Sequence, residues 1–338
     1  MVTSLIRVRN PPGGIRAWTP EFPNPVSPLI LLPDDDRGEV TDYVQIVERS
    51  PRRLRLTRPG FEDYRNCTPG ARYRFQTNAT QITIAASSSN TVDRSDARNY
   101  FAYVLVNGVA TYSFDTRDGG MVINLGSAVS RLFEIVWPYA DAMDLHSITI
   151  NAGGSFTTPA ARPAAKIACA GDSITQGFTA TSVIATWAFK LAVAKSRQLL
   201  NLGDGGDAAT ASYANALIGT GADRVTYMIG YNNFAAQTPL ANFQSQVEGW
   251  ITNAKAALPS AKIYVISPVY SPNSGPITLA QYRTAVQAAV AAVGGANVTY
   301  INGLSIMTNS NGLLVDGVHP NDSGSTEIAN NLNSLIAA

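Results

Sequence analysis

Five short apolar runs recur through the second half of the chain, at residues 167–170, 199–202, 225–229, 263–266 and 298–301. Stretches with helical spacing lie between them at 183–199, 208–218, 240–258 and 279–293, and a last one covers about 324–336. A strand that is apolar on both faces must be covered on both sides, and parallel strands supply that cover through their crossover helices. The pattern predicts a doubly wound, flavodoxin-like α/β domain with a five-stranded parallel sheet and four crossover helices. In such a sheet, ligand chemistry belongs at the carboxyl ends of the strands.

The first half has a different rhythm. Strand patterns fall at 4–9, 43–48, 53–58, 73–77, 81–86, 100–106, 110–115, 132–137 and 147–151. Several alternate residue by residue, as in Arg53-Leu54-Arg55-Leu56-Thr57, which suits a strand with one wet face. Pro59-Gly60, Pro69-Gly70 and Asp118-Gly119-Gly120 punctuate them, and Asn107-Gly108 between two apolar runs predicts a two-residue hairpin. Many short strands with regular turns imply an all-β sandwich or jelly roll. Charge usage changes at the same place: 17 Arg and no Lys precede Lys166, whereas 3 Arg and all 5 Lys follow from there. The Gly/Thr/Pro-rich segment from Gly153 to Pro163 is the expected connection, giving a jelly-roll-like accessory domain over 1–160 and the α/β domain over 161–338.

A net charge of +1 offers no field for nucleic acid or an anionic membrane surface, and no apolar run approaches a membrane span. Only 14% of residues are charged, a composition that favours an extracellular or virion-associated setting. The first ten residues lack an apolar core, so no secretory signal is visible and export would need a removed leader, another route or release from a larger particle. Cys67 and Cys169 fall in different predicted domains and read as two buried thiols. With no CxxC pair or His cluster, neither a metal nor an organic cofactor is expected.

Gly171-Asp172-Ser173-Ile174 closes the first apolar run, at the turn into a helical stretch, where a serine is well placed as a nucleophile or as a helix cap. A nucleophilic serine needs a base, an orienting group and oxyanion donors. The chain has two histidines. His146 lies in the β half and reads as structural. His319 sits three residues after Asp316, whose carboxylate can curl back onto Nδ1 and leave Nε2 facing the serine. Asp322 or Ser323 is the expected cap of the helix that follows. After the second run, Asn201-Leu202-Gly203-Asp204-Gly205-Gly206-Asp207 presents backbone N–H groups suited to an oxyanion. After the third, Gly230-Tyr231-Asn232-Asn233 offers a side-chain amide for the same purpose.

Together these four blocks resemble the SGNH/GDSL hydrolase family, over about half the chain from Lys166 onward. The resemblance implies Ser173 as nucleophile, Asp316 and His319 as its partners, and an oxyanion hole from Ser173, Gly206 and Asn232, with Gly203 as the alternate glycine. Asn233 stands where the family usually has Asp, at a position that supports the loop. The implied activity is metal-free hydrolysis of small acyl esters through an acyl-enzyme. The two-domain layout resembles carbohydrate esterases that remove acetyl groups, so the expected partner is an acylated small molecule or polysaccharide. Lipase or thioesterase activity and a non-enzymatic carbohydrate-binding or virion adhesin role are the alternatives. Arg72-Tyr73-Arg74-Phe75, Tyr100-Phe101-Ala102-Tyr103 and Trp137-Pro138-Tyr139 are candidate sugar-stacking stretches, although core packing is the favoured reading for each aromatic.

Overall fold

The computed structural model describes residues 29–31, 37–41, 45–50, 53–57, 67–88, 100–139 and 142–337. Among these residues twelve antiparallel strands come first: β1 (Leu29–Leu31), β2 (Glu39–Thr41), β3 (Gln45–Ser50), β4 (Arg53–Thr57), β5 (Arg72–Thr77), β6 (Gln81–Ser88), β7 (Phe101–Val106), β8 (Val109–Asp115), β9 (Gly120–Asn124), β10 (Arg131–Val136), β11 (Met143–Ile150) and β12 (Phe156–Thr157). One sheet runs β3-β4-β11-β6-β9, with β1 also paired to β11; the other runs β12-β5-β10-β7-β8, with β2 also paired to β5. Inward residues of both sheets make one core, including Ile82, Ile84, Ile148, Phe75, Phe133 and Trp137. Phe75 stacks on Phe133 with ring centroids 5.2 Å apart, and Trp137 Nε1 donates to the Met143 carbonyl at 2.9 Å. Tyr73, Phe75, Tyr100, Trp137 and Tyr139 are all buried, so these aromatics are core and do not form a sugar platform.

The second half contains β13 (Lys166–Gly171), α1 (Ser173–Gln176), α2 (Trp187–Ala194), β14 (Gln198–Gly203), β15 (Arg224–Met228), α3 (Tyr231–Ala235), α4 (Leu240–Ala257), β16 (Lys262–Ile266), α5 (Leu279–Val293), β17 (Val298–Ile301) and α6 (Asp322–Leu335). The five strands pair in parallel in the order β14-β13-β15-β16-β17. The chain therefore leaves β13 toward one edge and returns to its other side, opening a crevice at the carboxyl ends of β13, β14 and β15. Helix α4 turns Phe243, Val247, Trp250, Ile251 and Ala254 inward, the spacing of one apolar face. Thr278 and Gln281 form a reciprocal capping box that starts α5.

Several expected elements differ. The segment 208–218 holds a 3-10 helix at Ala211–Leu217 in place of an α-helix; Thr210 before it is extended, and the Ala209 and Ala211 N–H groups donate to the Asn233 and Gln246 side chains. The pattern over 183–199 resolves into a 3-10 turn (Val183–Ala185), the eight residues of α2, and the start of β14. Strands β1, β2, β9 and β12 were not expected; three of them have three residues or fewer. The expected strand at 4–9, the starts of 43–48 and the Pro59-Gly60 turn lie outside the described residues. The predicted hairpin forms, joining β7 to β8 through Asn107 and Gly108 at φ of 50° and 79°.

The sandwich packs against the α/β sheet through an apolar cluster. Leu105, Val136 and Tyr139 join Ile167, Trp187, Leu191 and Leu199. The Arg72 guanidinium lies over the Phe189 ring at 4.9 Å. Arg74, itself buried, donates to Glu39 at 2.8 Å and to the Ala160 carbonyl at 3.1 Å, while Arg162 pairs with Glu39 at 3.1 Å. These pairs fix the connecting segment onto the sandwich just before β13 begins.

Candidate active site

Ser173 is the first residue of α1, directly after the turn that ends β13. Two neighbours force that turn. Gly171 has φ of +152°, and a Cβ there would lie 2.3 Å from both the Met228 carbonyl oxygen and Thr175 Oγ1. No other residue fits beside β15 so closely. Asp172 then caps the helix, its Oδ1 accepting the Ile174 N–H at 3.0 Å. Burial, and after it the nearby Asp207 charge, pushes the Asp172 carboxyl up to about 7. A short, capped helix thus presents Ser173 at the mouth of the crevice.

Ser173 Oγ lies 2.8 Å from His319 Nε2, and His319 Nδ1 lies 2.7 Å from Asp316 Oδ2. The Asp316 carboxylate also closes its own loop, with Oδ1 accepting the N–H groups of Val318 at 3.0 Å and His319 at 2.8 Å. Desolvation works against its charged form, yet these N–H donors and the imidazole outweigh it and hold the carboxyl below its usual range. An ionised carboxylate only accepts, so Nδ1 carries the ring proton and the Nε2 lone pair faces Ser173.

The loop bearing His319 is braced by two segments, 178–181 and the one carrying Ser271. The Phe178 ring meets the imidazole edge-on at 4.8 Å between centroids. Thr179 Oγ1 donates to the Pro320 carbonyl at 3.2 Å, and the Thr181 N–H donates to Asp322 Oδ1 at 2.8 Å. Ser271 Oγ donates to the Gly317 carbonyl at 2.7 Å. The cap of α6 differs from expectation: it is Asn321, whose Oδ1 accepts from both Ser323 and Gly324, because the Asp322 carboxylate turns back to Thr181.

Two further strand ends carry the candidate oxyanion residues. At the end of β14, Gly203 lies so close to α1 that a Cβ would sit 2.2 Å from the Gln176 nitrogen, and its own N–H is taken by Asn201 Oδ1 at 2.9 Å. That leaves Gly203 a packing role. Gly206 is exposed with open space on its side-chain face. A Cβ on the intervening Gly205 would lie 3.9 Å from Ser173 Cβ, so this loop runs past the serine. After β15, Asn232 is the second residue of α3, and its Nδ2 donates to the Asp207 carbonyl at 2.7 Å. An amide nitrogen carries two protons, so a second donor remains on Asn232. Asn233 is buried and accepts the Ala209 N–H at 2.8 Å, linking this loop to the one after β14.

The remaining candidates fall elsewhere. His146 is on β11 in the sandwich and pairs with Ser87 Oγ at 2.8 Å, in keeping with a structural role. Both cysteines are buried and neither is in a disulfide, and desolvation pushes the Cys169 thiol up to about 12, which keeps it an inert thiol. Phe178, Asn201, Thr181 and Ser271 were not singled out from the sequence. Their partners are distant in the chain or are backbone groups, which no local motif records.

The parallel sheet thus carries a linked serine, histidine and aspartate beyond its strand ends. Residues 169–326 match the model of the GDSL-like Lipase/Acylhydrolase family. Similar solved structures span both halves. The salicylyl-acyltransferase SsfX3 from a tetracycline biosynthetic pathway superposes with a TM-score of 0.78 at 20% identity, covering 90% of this chain and 95% of that one. A family two carbohydrate esterase from Cellvibrio japonicus gives 0.72 at 16% identity, covering 91% and 97%. An acetyl xylan esterase, Est2A, from the rumen bacterium Butyrivibrio proteoclasticus gives 0.66 at 12% identity, covering 91% and 97%. No curated protein sequence matches the chain. Among the described residues, no helix is long and apolar enough to cross a membrane.

Proposed function

We propose that the chain is a serine esterase that removes small acyl groups, O-acetyl foremost, from a carbohydrate or polysaccharide. The observation that carries this reading is the linked set Ser173 Oγ–His319 Nε2 at 2.8 Å and His319 Nδ1–Asp316 Oδ2 at 2.7 Å. In this account Ser173 Oγ attacks the ester carbonyl carbon as its proton passes to His319 Nε2. The oxyanion meets the N–H groups of Ser173 and Gly206 and the second amide proton of Asn232. Asp316 stabilises the imidazolium and fixes its orientation. Collapse of the tetrahedral adduct expels the alcohol, which takes the proton from His319. Water then repeats the sequence on the acyl-serine, releasing the acid and restoring Ser173.

The carbohydrate part of the reading is supported by the likeness of the whole two-part chain, and not only of its α/β half, to structures named as carbohydrate and acetyl xylan esterases. It treats residues 1–160 as an accessory domain to a hydrolase domain over 161–338. The likeness to an acyltransferase favours a second reading, in which an alcohol replaces water in the deacylation step.

Hydrolysis of p-nitrophenyl acetate by wild type and Ser173→Ala tests the chemistry: turnover is expected in the first and abolished in the second, and equal turnover would refute it. Acetate release from acetylated polysaccharides tests the substrate class, and a marked preference for octanoyl over acetyl esters would overturn the carbohydrate reading. An added alcohol that diverts product into a new ester would favour the transferase.

A further inference from the structure

Gln176 sits three residues beyond Ser173, at the carboxyl end of α1, and its side chain is buried between the two halves of the chain. Its Nε2 donates to Cys67 Sγ at 3.2 Å and to the Tyr139 carbonyl at 3.3 Å, both in the β half. Its Oε1 faces the other way, and a Cβ on Gly205 would come within 2.9 Å of it. The same Gly205 runs past Ser173 Cβ and is followed by Gly206. One carboxamide therefore spans from the sandwich to the loop assigned to the oxyanion. Buried amide hydrogen bonds fix a plane, and a fixed plane on one side limits how a glycine-rich loop settles on the other.

We propose that Gln176 is a positioning residue through which the β-sandwich sets the loop 203–207 against Ser173. The proposal rests on the esterase reading and assigns the sandwich a part in it: Cys67 and Tyr139 hold the amide, and the amide holds the loop. Asn201 braces the same corner from β14, with Nδ2 donating to the Thr175 carbonyl at 3.0 Å. The Gly203 end of the loop is thus tied by Asn201 and α1, whereas the Gly205 end meets Gln176.

Oxyanion donors act on the transition state, so a loosened loop lowers kcat and leaves substrate binding in place. Gln176→Met keeps length and volume while removing both amide groups. In the full-length protein it is expected to lower kcat for p-nitrophenyl acetate about tenfold with KM within about twofold. Backbone amide exchange over residues 203–207 is expected to quicken at the same time. Should that variant fold poorly, Cys67→Ala, which leaves Gln176 intact and removes one acceptor, is expected to give about a threefold loss in kcat at unchanged KM, with the same faster exchange. Unchanged kcat, a rise in KM alone, or unchanged exchange over 203–207 in the folded variant would overturn the positioning role. The exchange measurement needs no turnover, so it decides the role even if wild type shows no Ser173-dependent hydrolysis, the result that would refute the esterase reading separately.

Discussion

Replacing Asp316 with Asn changes one oxygen to an NH2 and so tests the relay at its least visible member. Asp316 accepts three N–H groups, from Val318 and His319 of the backbone on Oδ1 and from the His319 ring on Oδ2. The two backbone donors hold the remaining Asn oxygen in place, which turns the new NH2 toward His319 Nδ1. A donor there requires Nδ1 to accept, so the ring proton moves to Nε2 and points at Ser173 Oγ. In that tautomer the imidazole cannot take the serine proton. A fully buried relay would lose about 10⁴-fold in kcat on this change. The Asp316 side chain is 44% exposed, so water softens the effect, and a loss of about 10³-fold, or ~4 kcal/mol, is expected. Steady-state hydrolysis of p-nitrophenyl acetate measures it, with thermal unfolding of the same samples to show that the loop is intact. A kcat within threefold of wild type in a folded Asp316→Asn protein would refute the assigned role of the relay.

Other perturbations follow from the same geometry. Gly203→Ala places a Cβ 2.2 Å from the Gln176 backbone nitrogen, and denaturant unfolding is expected to show a loss of at least about 2 kcal/mol; an unchanged midpoint would contradict the close packing of β14 on α1. Asn321→Ala removes the cap of α6, with an expected loss of about 1 kcal/mol at unchanged m, and no loss would place the cap elsewhere. Asp172 is an acid whose folded pKa is raised, to about 7, above its unfolded value of 3.8, so the native state binds more protons between those values. Its contribution is therefore fully present below pH 4 and lost as pH rises toward 7. Asp172→Asn retains the capping oxygen and is expected to unfold at a higher temperature than wild type at pH 8, with little difference at pH 4; the opposite ordering would contradict a carboxyl strained by burial.

The parallel sheet was legible because β13 to β16 are buried along almost their whole length and each strand is bounded by a turn or helix signal. The residues of the candidate site were legible for a related reason: each lies within a few residues of a strand end or in one tight loop. Part of what was missed depends on partners far away in the chain. The 3-10 helix at Ala211–Leu217 looked α-helical because its apolar spacing is right, and spacing alone does not tell i→i+3 from i→i+4 hydrogen bonding. Asp322 looked like a cap until Thr181, 141 residues away, claimed its carboxylate. Gln176 carries no sequence signal at all, since its acceptors are 109 and 37 residues away and one of them is a backbone carbonyl. The buried fate of Tyr73, Phe75 and Trp137 also follows from sheet pairing, which alternation alone fixes only up to a choice of face.

The central claim is that Ser173 Oγ carries the acyl group. Rapid acid quench of wild type during turnover of an activated acetyl ester, followed by peptide mass analysis, tests it most directly. One acetyl group is expected on the peptide containing Ser173 and none on that peptide in Ser173→Ala. Steady hydrolysis by the Ser173→Ala protein, or an acetyl group found on another residue in its place, would contradict it.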